Sequence, residues 1–446
     1  MKTELRPYQR EDVNKLLPFK AAGIFNEQRT GKTPTALTVF KERGLNKVVV
    51  VCPKSALYQW KDEYEKWMEK PCVVISGTPA KRLQQFQQWE SGLIISYDTL
   101  KETKRSHSML QEILKAKPEG IIADEAHKFK TPNTAIAKAM FKTSVIPNRL
   151  ALTGTPAHGK PHEIFSILKW LYPNDFSSYW KFIEEFFMTY DRYNAKGIRY
   201  IEIGKFRLGK QAELQRFLNK YCVQRKRIEV MPWLPAKDYT QVRLPLTKEQ
   251  TKYLSELKKY YETETVVTQG VLDRLVRYRQ ICNAPALLNL KGSSPKIDWV
   301  KDYIADNPDK PIIIFSKFTS FLKLLATELN CDNLLIGSTS VQRRNKLKLD
   351  FQSGKIKLLL INIDAGKEAL TLDKAECIIF TDKYPPAGDI AQAEDRFVAT
   401  TQDKADKPHQ IIELMMAKSY DEQLYKLIKV NASATDVIND FKKYLH

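Results

Sequence analysis

Two series of short β-branched runs, each alternating with helical patterns, predict an α/β chain of two doubly wound parallel-sheet lobes with a helical and basic-hairpin insertion between them. Three observations carry this. The runs are continuously apolar and bounded by polar turns, as in strands buried on both faces. Helical periodicity separates them, as right-handed parallel crossovers require. A long helical and basic stretch divides the first series from the second.

In the first series the runs are "KVVVVC" (47–52), "CVVIS" (72–76), "GLIISY" (92–97), "GIIADE" (120–125) and "RLALTG" (149–154), preceded by the apolar segment "AAGIF". They define a first lobe over 1–160. Residues 161–240 read as an insertion with an interlobe segment. "HEIFSILKWLYP" is helical, and "RYNAKGIRYIEIGKFR" (192–207) alternates like a strand pair about Asn194 and Gly197. The second lobe, 241–446, opens with a helical insertion (247–290) that includes "KEQTKYLSELKKYYETE". Its runs are "PIIIFS" (311–316), "NLLIG" (333–337), "KLLLINI" (357–363), "CIIFTD" (377–382) and "QIIELM" (410–415).

The 446 residues carry a formal net charge of +20 with 43% hydrophobic residues, a globular composition whose excess of Lys and Arg points to a polyanionic partner. Between Arg192 and Arg227 there are eleven Lys or Arg against two acids, Glu202 and Glu213, which is either a solvated basic surface or a DNA-contacting hairpin and helix. The six cysteines form no CxxC pair and no zinc-ligand spacing, so neither a structural metal nor a disulfide framework is expected. "MKTELRPYQRED" has no apolar signal region, and runs such as "VVVVC" are too short to span a bilayer. A reducing, cytoplasmic setting is the expectation.

The chemistry begins at "FNEQRTGKTPTAL" (25–37), which follows an apolar segment and opens a helical pattern, the context of a phosphate-binding loop. Gly31 lets backbone N–H groups close on phosphates, Lys32 brings a charge to the β/γ oxygens, and the Thr33 hydroxyl suits magnesium. "IIADEAHKFK" (121–130) places Asp124 and Glu125 at the carboxyl end of an apolar strand. There Asp124 can hold magnesium, and Glu125 can orient and deprotonate an attacking water. "LTGTP" (152–156) ends another strand with small hydroxyl residues suited to coupling nucleotide state to a neighbouring domain. In "QAEDRF" (392–397) Arg396 has the place of an arginine finger.

In this order the motifs resemble the Swi/Snf family of DNA-dependent ATPases in helicase superfamily two, over nearly the whole chain. "LRPYQ" (5–9) is similar to the glutamine motif, in which Gln9 would read adenine. "NEQRTGKT" resembles the family's phosphate loop, with Asn26 and Glu27 in place of its acidic pair. "VVVVCPKSALYQWKDEYEKW", "ISYDTL", "DEAHKFK" and "LTGTPAHG" follow in family order, "CVQRKRIEVMPWLPAK" (222–237) resembles the segment joining the lobes, and "RQICNAPALL", "IIIFSKFTSFLKLL", "LLLINIDAGKEALTL" and "QAEDRFVATTQ" match the second lobe.

The resemblance implies two RecA-like lobes, ATP and magnesium between them, and DNA as partner of a monomeric motor. Thr30, Gly31, Lys32 and Thr33 would hold nucleotide. Arg29, where the family commonly has glycine, would touch phosphate or close the loop against the second lobe. Lys54, Ser55, Ser96, Ser316 and Lys317 would contact DNA phosphates, as would Arg192, Lys196, Arg199, Arg225 and Lys367. His127 and Thr153 would couple the two sites. Two departures stand out: "GKEALTL" replaces a glycine-rich run, and Ala399 stands where a second arginine is usual. The middle of the chain resembles the annealing-helicase and fork-remodelling branch, whose compact members also occur in bacteriophages. The expected activity is ATP-driven tracking on duplex DNA that unwinds or branch-migrates forks. The alternatives are a duplex translocase that displaces bound proteins, a DNA-binding scaffold with a disabled ATPase, and a protein-remodelling ATPase unrelated to DNA.

Overall fold

The computed structural model describes residues 4–101, 109–157, 160–193, 197–233, 237–259, 270–366, 374–384 and 410–429, together with 372, 390, 393–394, 437, 440–441 and 443–444. It comprises two units, Met1–Pro232 and Trp233–His446. Residues 161–232 therefore belong to the first unit.

The first unit is built on seven parallel strands: β1 (Ala21–Ile24), β2 (Val48–Cys52), β3 (Cys72–Ile75), β4 (Gly92–Ser96), β5 (Gly120–Asp124), β6 (Asn148–Leu152) and, after the hairpin β7 (Phe187–Tyr193) and β8 (Arg199–Phe206), β9 (Cys222–Val223). Their order is β3-β4-β2-β5-β6-β1-β9. Every residue of β2 is buried, and the pleat sends alternate side chains to opposite faces. Val48, Val50 and Cys52 pack with Leu37, Phe40, Trp60 and Tyr64 from helices α2 (Lys32–Glu42) and α3 (Leu57–Met68). Val49 and Val51 join Met140, Phe165 and Ile167 on the other side. Burying each such side chain contributes about 1.5–3 kcal/mol, which is why the run carries no polar position.

The second unit repeats this logic with β10 (Asp238–Leu244), β11 (Ile312–Ser316), β12 (Leu334–Leu335), β13 (Leu358–Asn362), β14 (Cys377–Phe380) and β15 (Gln410–Met416), ordered β10-β15-β14-β11-β13-β12 and parallel throughout. Ile313 and Phe315 enter one core layer, Ile312 and Ile314 the other. The helices Lys248–Lys259 and Val271–Asn283 form a third apolar cluster with Leu244, Met416 and Tyr420.

The apolar runs coincide with buried strands, whereas β10 had no such signal. Its sequence "DYTQVRL" is an edge strand exposed along most of its length, so it has no continuous apolar run. The hairpin begins five residues earlier than the alternation at 192 suggested, because Phe187 anchors its foot in the core. Among the described residues, no helix is long and apolar enough to cross a membrane.

Candidate active site

Parallel strands bring the carboxyl ends of β1, β6 and β5 side by side, with Ile24 opposite Leu152 and Leu152 opposite Asp124. From these ends run the loop entering α2, the Thr153 turn and the Asp124–Glu125 pair.

The loop is fastened from within. Lys32 Nζ donates to the carbonyls of Asn26 (3.0 Å) and Glu27 (3.1 Å), and Thr30 Oγ1 donates to Glu27 O at 2.7 Å. From helix α1 (Pro7–Leu16), Tyr8 Oη and Gln9 Nε2 both donate to Thr30 O, at 2.9 and 3.0 Å. Gly31 caps α2 at φ +78°, and a Cβ there would lie 2.0 Å from Gln9 Nε2. Gly31 thus needs both a left-handed backbone and the absence of a side chain beneath Gln9. Arg29 is half-buried and also left-handed, at φ 63°. Thr33 lies half-buried in the first turn of α2.

A third anchor was not expected from the sequence. Asn26 Nδ2 donates to Asp12 Oδ2 at 2.7 Å, and the same buried carboxylate receives Arg225 Nε at 2.9 Å. Arg225 also reaches Glu11 at 2.9 Å. Backbone bonds run from Phe25 N to Val223 O and from Glu27 N to Arg225 O, and the N–H of Arg227 donates to Glu27 Oε2. Arg225, expected on nucleic acid, is instead committed to two carboxylates that brace the loop. No local pattern announces Asp12, since its partners lie 14 and 213 residues away.

At the end of β5, Asp124 Oδ2 accepts from Trp60 Nε1 at 2.8 Å, and its carbonyl accepts from Tyr97 Oη at 2.7 Å. Burial, then the neighbouring charge of Glu125, pushes the Asp124 carboxyl up to about 7, against the pull of the Trp60 N–H and the Lys32 ammonium. Lys32 and Asp124 thus act on each other within one site. Glu125 sits at φ 49°, a left-handed conformation that costs a non-glycine residue about 1–2 kcal/mol. Its buried Oε2 accepts no hydrogen bond among the described residues, and the His127 ring nitrogen stands 3.4 Å away. That nitrogen is hydrogen-bonded to Thr153 Oγ1 at 3.1 Å, and Thr153 Oγ1 accepts from Thr155 N at 3.2 Å. Glu125, His127 and Thr153 therefore form one chain of contacts between two strand ends.

This donor set fits a hard cation carried with phosphates. Asp124 and Thr33 would supply oxygen ligands, while among the described residues no group of three or more His, Cys, Asp or Glu could hold a metal ion alone. Phosphate oxygens and water would complete its shell.

The expected DNA contacts divide. Lys54 is exposed and Ser55 half-buried on the short turn after β2. Ser96 is buried, and its hydroxyl caps the following helix through Thr99 N, so it shapes the turn and does not present itself to a strand. Arg192 is paired with Glu202 at 2.6 Å and Arg199 with Asp191 at 2.9 Å, across the hairpin. In the second unit Ser316 is fully buried and donates to Asp382 Oδ1, which also accepts from Lys317 N. The other oxygen of Asp382 takes Arg279 at 2.9 Å, and that guanidinium lies 4.8 Å from the Phe318 ring and 4.4 Å from the Tyr384 ring. Ser316 is therefore a structural residue. Lys317 is half-buried and paired with Asp364 at 2.7 Å. Lys196, Lys367 and Arg396, with Ala399, lie outside the described residues.

The SNF2-related domain model matches residues 9–287, and the helicase conserved C-terminal domain model matches 295–398. The chain belongs to the SNF2-related ATPases of helicase superfamily two. This SNF2-related chain is 26% identical over 422 residues to the human "DNA annealing helicase and endonuclease ZRANB3", covering 86% of itself and 37% of that protein. It is 25% identical over 486 residues to human "Chromodomain-helicase-DNA-binding protein 6", covering 95% of itself and 17% of the relative. The chain thus spans little more than a third of the first relative and less than a fifth of the second. Among solved structures it is similar to the "Sulfolobus solfataricus SWI2/SNF2 ATPase core in complex with dsDNA", with 24% identity, a TM-score of 0.45 and coverage of 96% of this chain and 92% of that one.

Proposed function

We propose that this SNF2-related ATPase uses magnesium and ATP to track along double-stranded DNA and to unwind or branch-migrate forks. The observation that carries the reading is the meeting of Lys32, Asp124 and Glu125, with a buried Glu125 oxygen that accepts no hydrogen bond among the described residues. Lys32 and the α2 N-terminus bind phosphate, Asp124 and Thr33 hold the cation that neutralises it, and Glu125 takes the proton of an attacking water. Gln9, laid over Gly31, reads the base. His127 and Thr153 pass the state of Glu125 to the end of β6.

DNA as the partner is supported by the net charge of +20, by the exposed Lys54 and by the similarity to a DNA annealing helicase. A reducing, cytoplasmic setting belongs to the same reading and is supported by six free cysteines. The test is strand displacement on a forked substrate with ATP. The wild type separates the strands, while Lys32→Ala and Glu125→Gln do not; displacement by either variant overturns the assignment.

A second reading is translocation on duplex DNA that displaces bound proteins without strand separation. Displacement of a bound protein from duplex, with no product from the fork, selects it.

A further inference from the structure

The hairpin β7–β8 was expected to grip phosphates through Arg192 and Arg199. Its geometry argues for different chemistry. Both arginines are paired across the strands, Arg192 with Glu202 and Arg199 with Asp191 through two hydrogen bonds of 2.9 and 3.0 Å. In each pair the carboxylate partly offsets the charge the exposed guanidinium would bring to a phosphate.

Beside these exposed ion pairs the hairpin shows aromatic rings. Beyond Phe187 every residue of β7 is exposed, as are Arg199–Glu202 of β8, so among the described residues the outer part of the ribbon is covered on neither face. Tyr190 is 42% exposed, Tyr193 67% and Tyr200 51%. Register places Tyr190 opposite Glu202 and Arg192 opposite Tyr200, so Tyr190, Arg192, Tyr200 and Glu202 share one face. On that face the Tyr190 ring lies over Gly204, where a Cβ would come within 2.6 Å of it. The Arg192 guanidinium is 5.9 Å from the same ring centroid. The ring is thereby held against backbone on one side. Among the described residues no other aromatic ring stacks on Tyr190, Tyr193 or Tyr200.

We propose that Tyr190 and Tyr200, with the Arg192 plane between them, form a stacking platform for unpaired nucleobases. Flat π faces and a guanidinium plane are the groups on which splayed bases stack, without regard to sequence. Charge names the occupant. Exposed Lys205 and Arg207 lie at the foot of the hairpin, and Arg216 and Lys220 are exposed on the helix Lys210–Tyr221 that follows it. Cations at the base can follow a sugar–phosphate backbone while the neutral, aromatic ribbon meets its bases. Paired bases hide their faces in the duplex, so the platform takes the single-stranded arms of a junction. The inference rests on the fork reading above and adds the surface that would recognise the fork.

The experiment measures equilibrium affinity, by fluorescence anisotropy, for a duplex, the same duplex with two unpaired arms, and that fork with abasic sites next to the junction. Wild type, Tyr190→Ala/Tyr200→Ala and Tyr190→Phe/Tyr200→Phe are compared, with thermal melting as a check on folding. The expected result is a fork-over-duplex preference in the wild type that falls about tenfold or more in the double alanine variant and on the abasic fork, and persists in the double phenylalanine variant. A double alanine variant that keeps the wild-type preference overturns the platform and leaves the fork reading standing. A wild type indifferent to the arms removes the fork reading, and a single-stranded oligonucleotide carrying 2-aminopurine then decides the platform alone. Quenching by wild type but not by the double alanine variant upholds it, and no such difference overturns it.

Discussion

Replacing Gly31 with alanine tests how the nucleotide loop is built. At φ +78° an alanine carries a left-handed penalty of about 1–2 kcal/mol. Its Cβ would also stand 2.0 Å from Gln9 Nε2, so Gln9 must swing away. That movement breaks the bond from Gln9 Nε2 to Thr30 O and the one from Arg6 N to Gln9 Oε1, each worth about 0.5–1.5 kcal/mol. The stiffer unfolded chain offsets about 0.4–1 kcal/mol. The balance is a loss of about 3 kcal/mol, or about 6–12 °C in the melting temperature of a unit this size. Differential scanning calorimetry without nucleotide measures the shift, and the KM for ATP should rise in the same variant because Gln9, proposed to read the base, is displaced. A Gly31→Ala protein that melts within about 1 °C of wild type would show that the loop does not need this conformation and that Gln9 does not hold it.

Three further outcomes are expected. The unfolded Asp124 carboxyl has the ordinary value of 3.8 while the folded one is raised to about 7, so over that window the folded state holds a proton the unfolded state has released. Its contribution is full below about 4 and is lost as pH rises to about 7, so the wild type should lose melting temperature there relative to Asp124→Asn, and parallel melting profiles would refute the shift. Trp60→Phe keeps the buried ring but removes the donor to Asp124, and ATP turnover should fall about tenfold or more, as for a hydrogen bond to a charged group; unchanged kcat and KM would show that the bond positions nothing. Lys296 and Asp421 are fully buried and paired at 2.7 Å, so Lys296→Met alone should destabilise the second unit by about 3–5 kcal/mol in urea unfolding, and Lys296→Met/Asp421→Leu should recover most of that; a double variant as weak as the single one would contradict it.

Much of this architecture was legible along the chain because it depends on local chemistry. A strand buried on both faces must be apolar along its interior, and β2, β5, β11 and β13 are written that way up to the polar residue that closes β5, β11 and β13. A turn that opens a helix toward phosphate must carry glycine and lysine in fixed order, and an acidic pair after an apolar strand has few uses. The side-chain partners were hidden for the opposite reason. Ser96 and Ser316 resemble phosphate ligands in sequence, but the Ser96 hydroxyl accepts from Thr99 N in the turn that follows it, and the Ser316 hydroxyl donates to Asp382, 66 residues away after the neighbouring strand β14. Arg192 and Arg199 read as free cations until the hairpin register sets carboxylates diagonally opposite them.

By itself the sequence determined two parallel sheets, the loop and acidic pair at the carboxyl end of the first, and the excess of positive charge, since burial, backbone geometry and net charge are properties of segments. Only the tertiary structure decided that Arg225 braces the nucleotide loop through Asp12, that Trp60 holds Asp124, and that the hairpin pairs its arginines with carboxylates and exposes tyrosines beside them. Each of these joins residues that are not neighbours in the chain. Whether a charged side chain meets a ligand or another side chain depends on what folding places beside it.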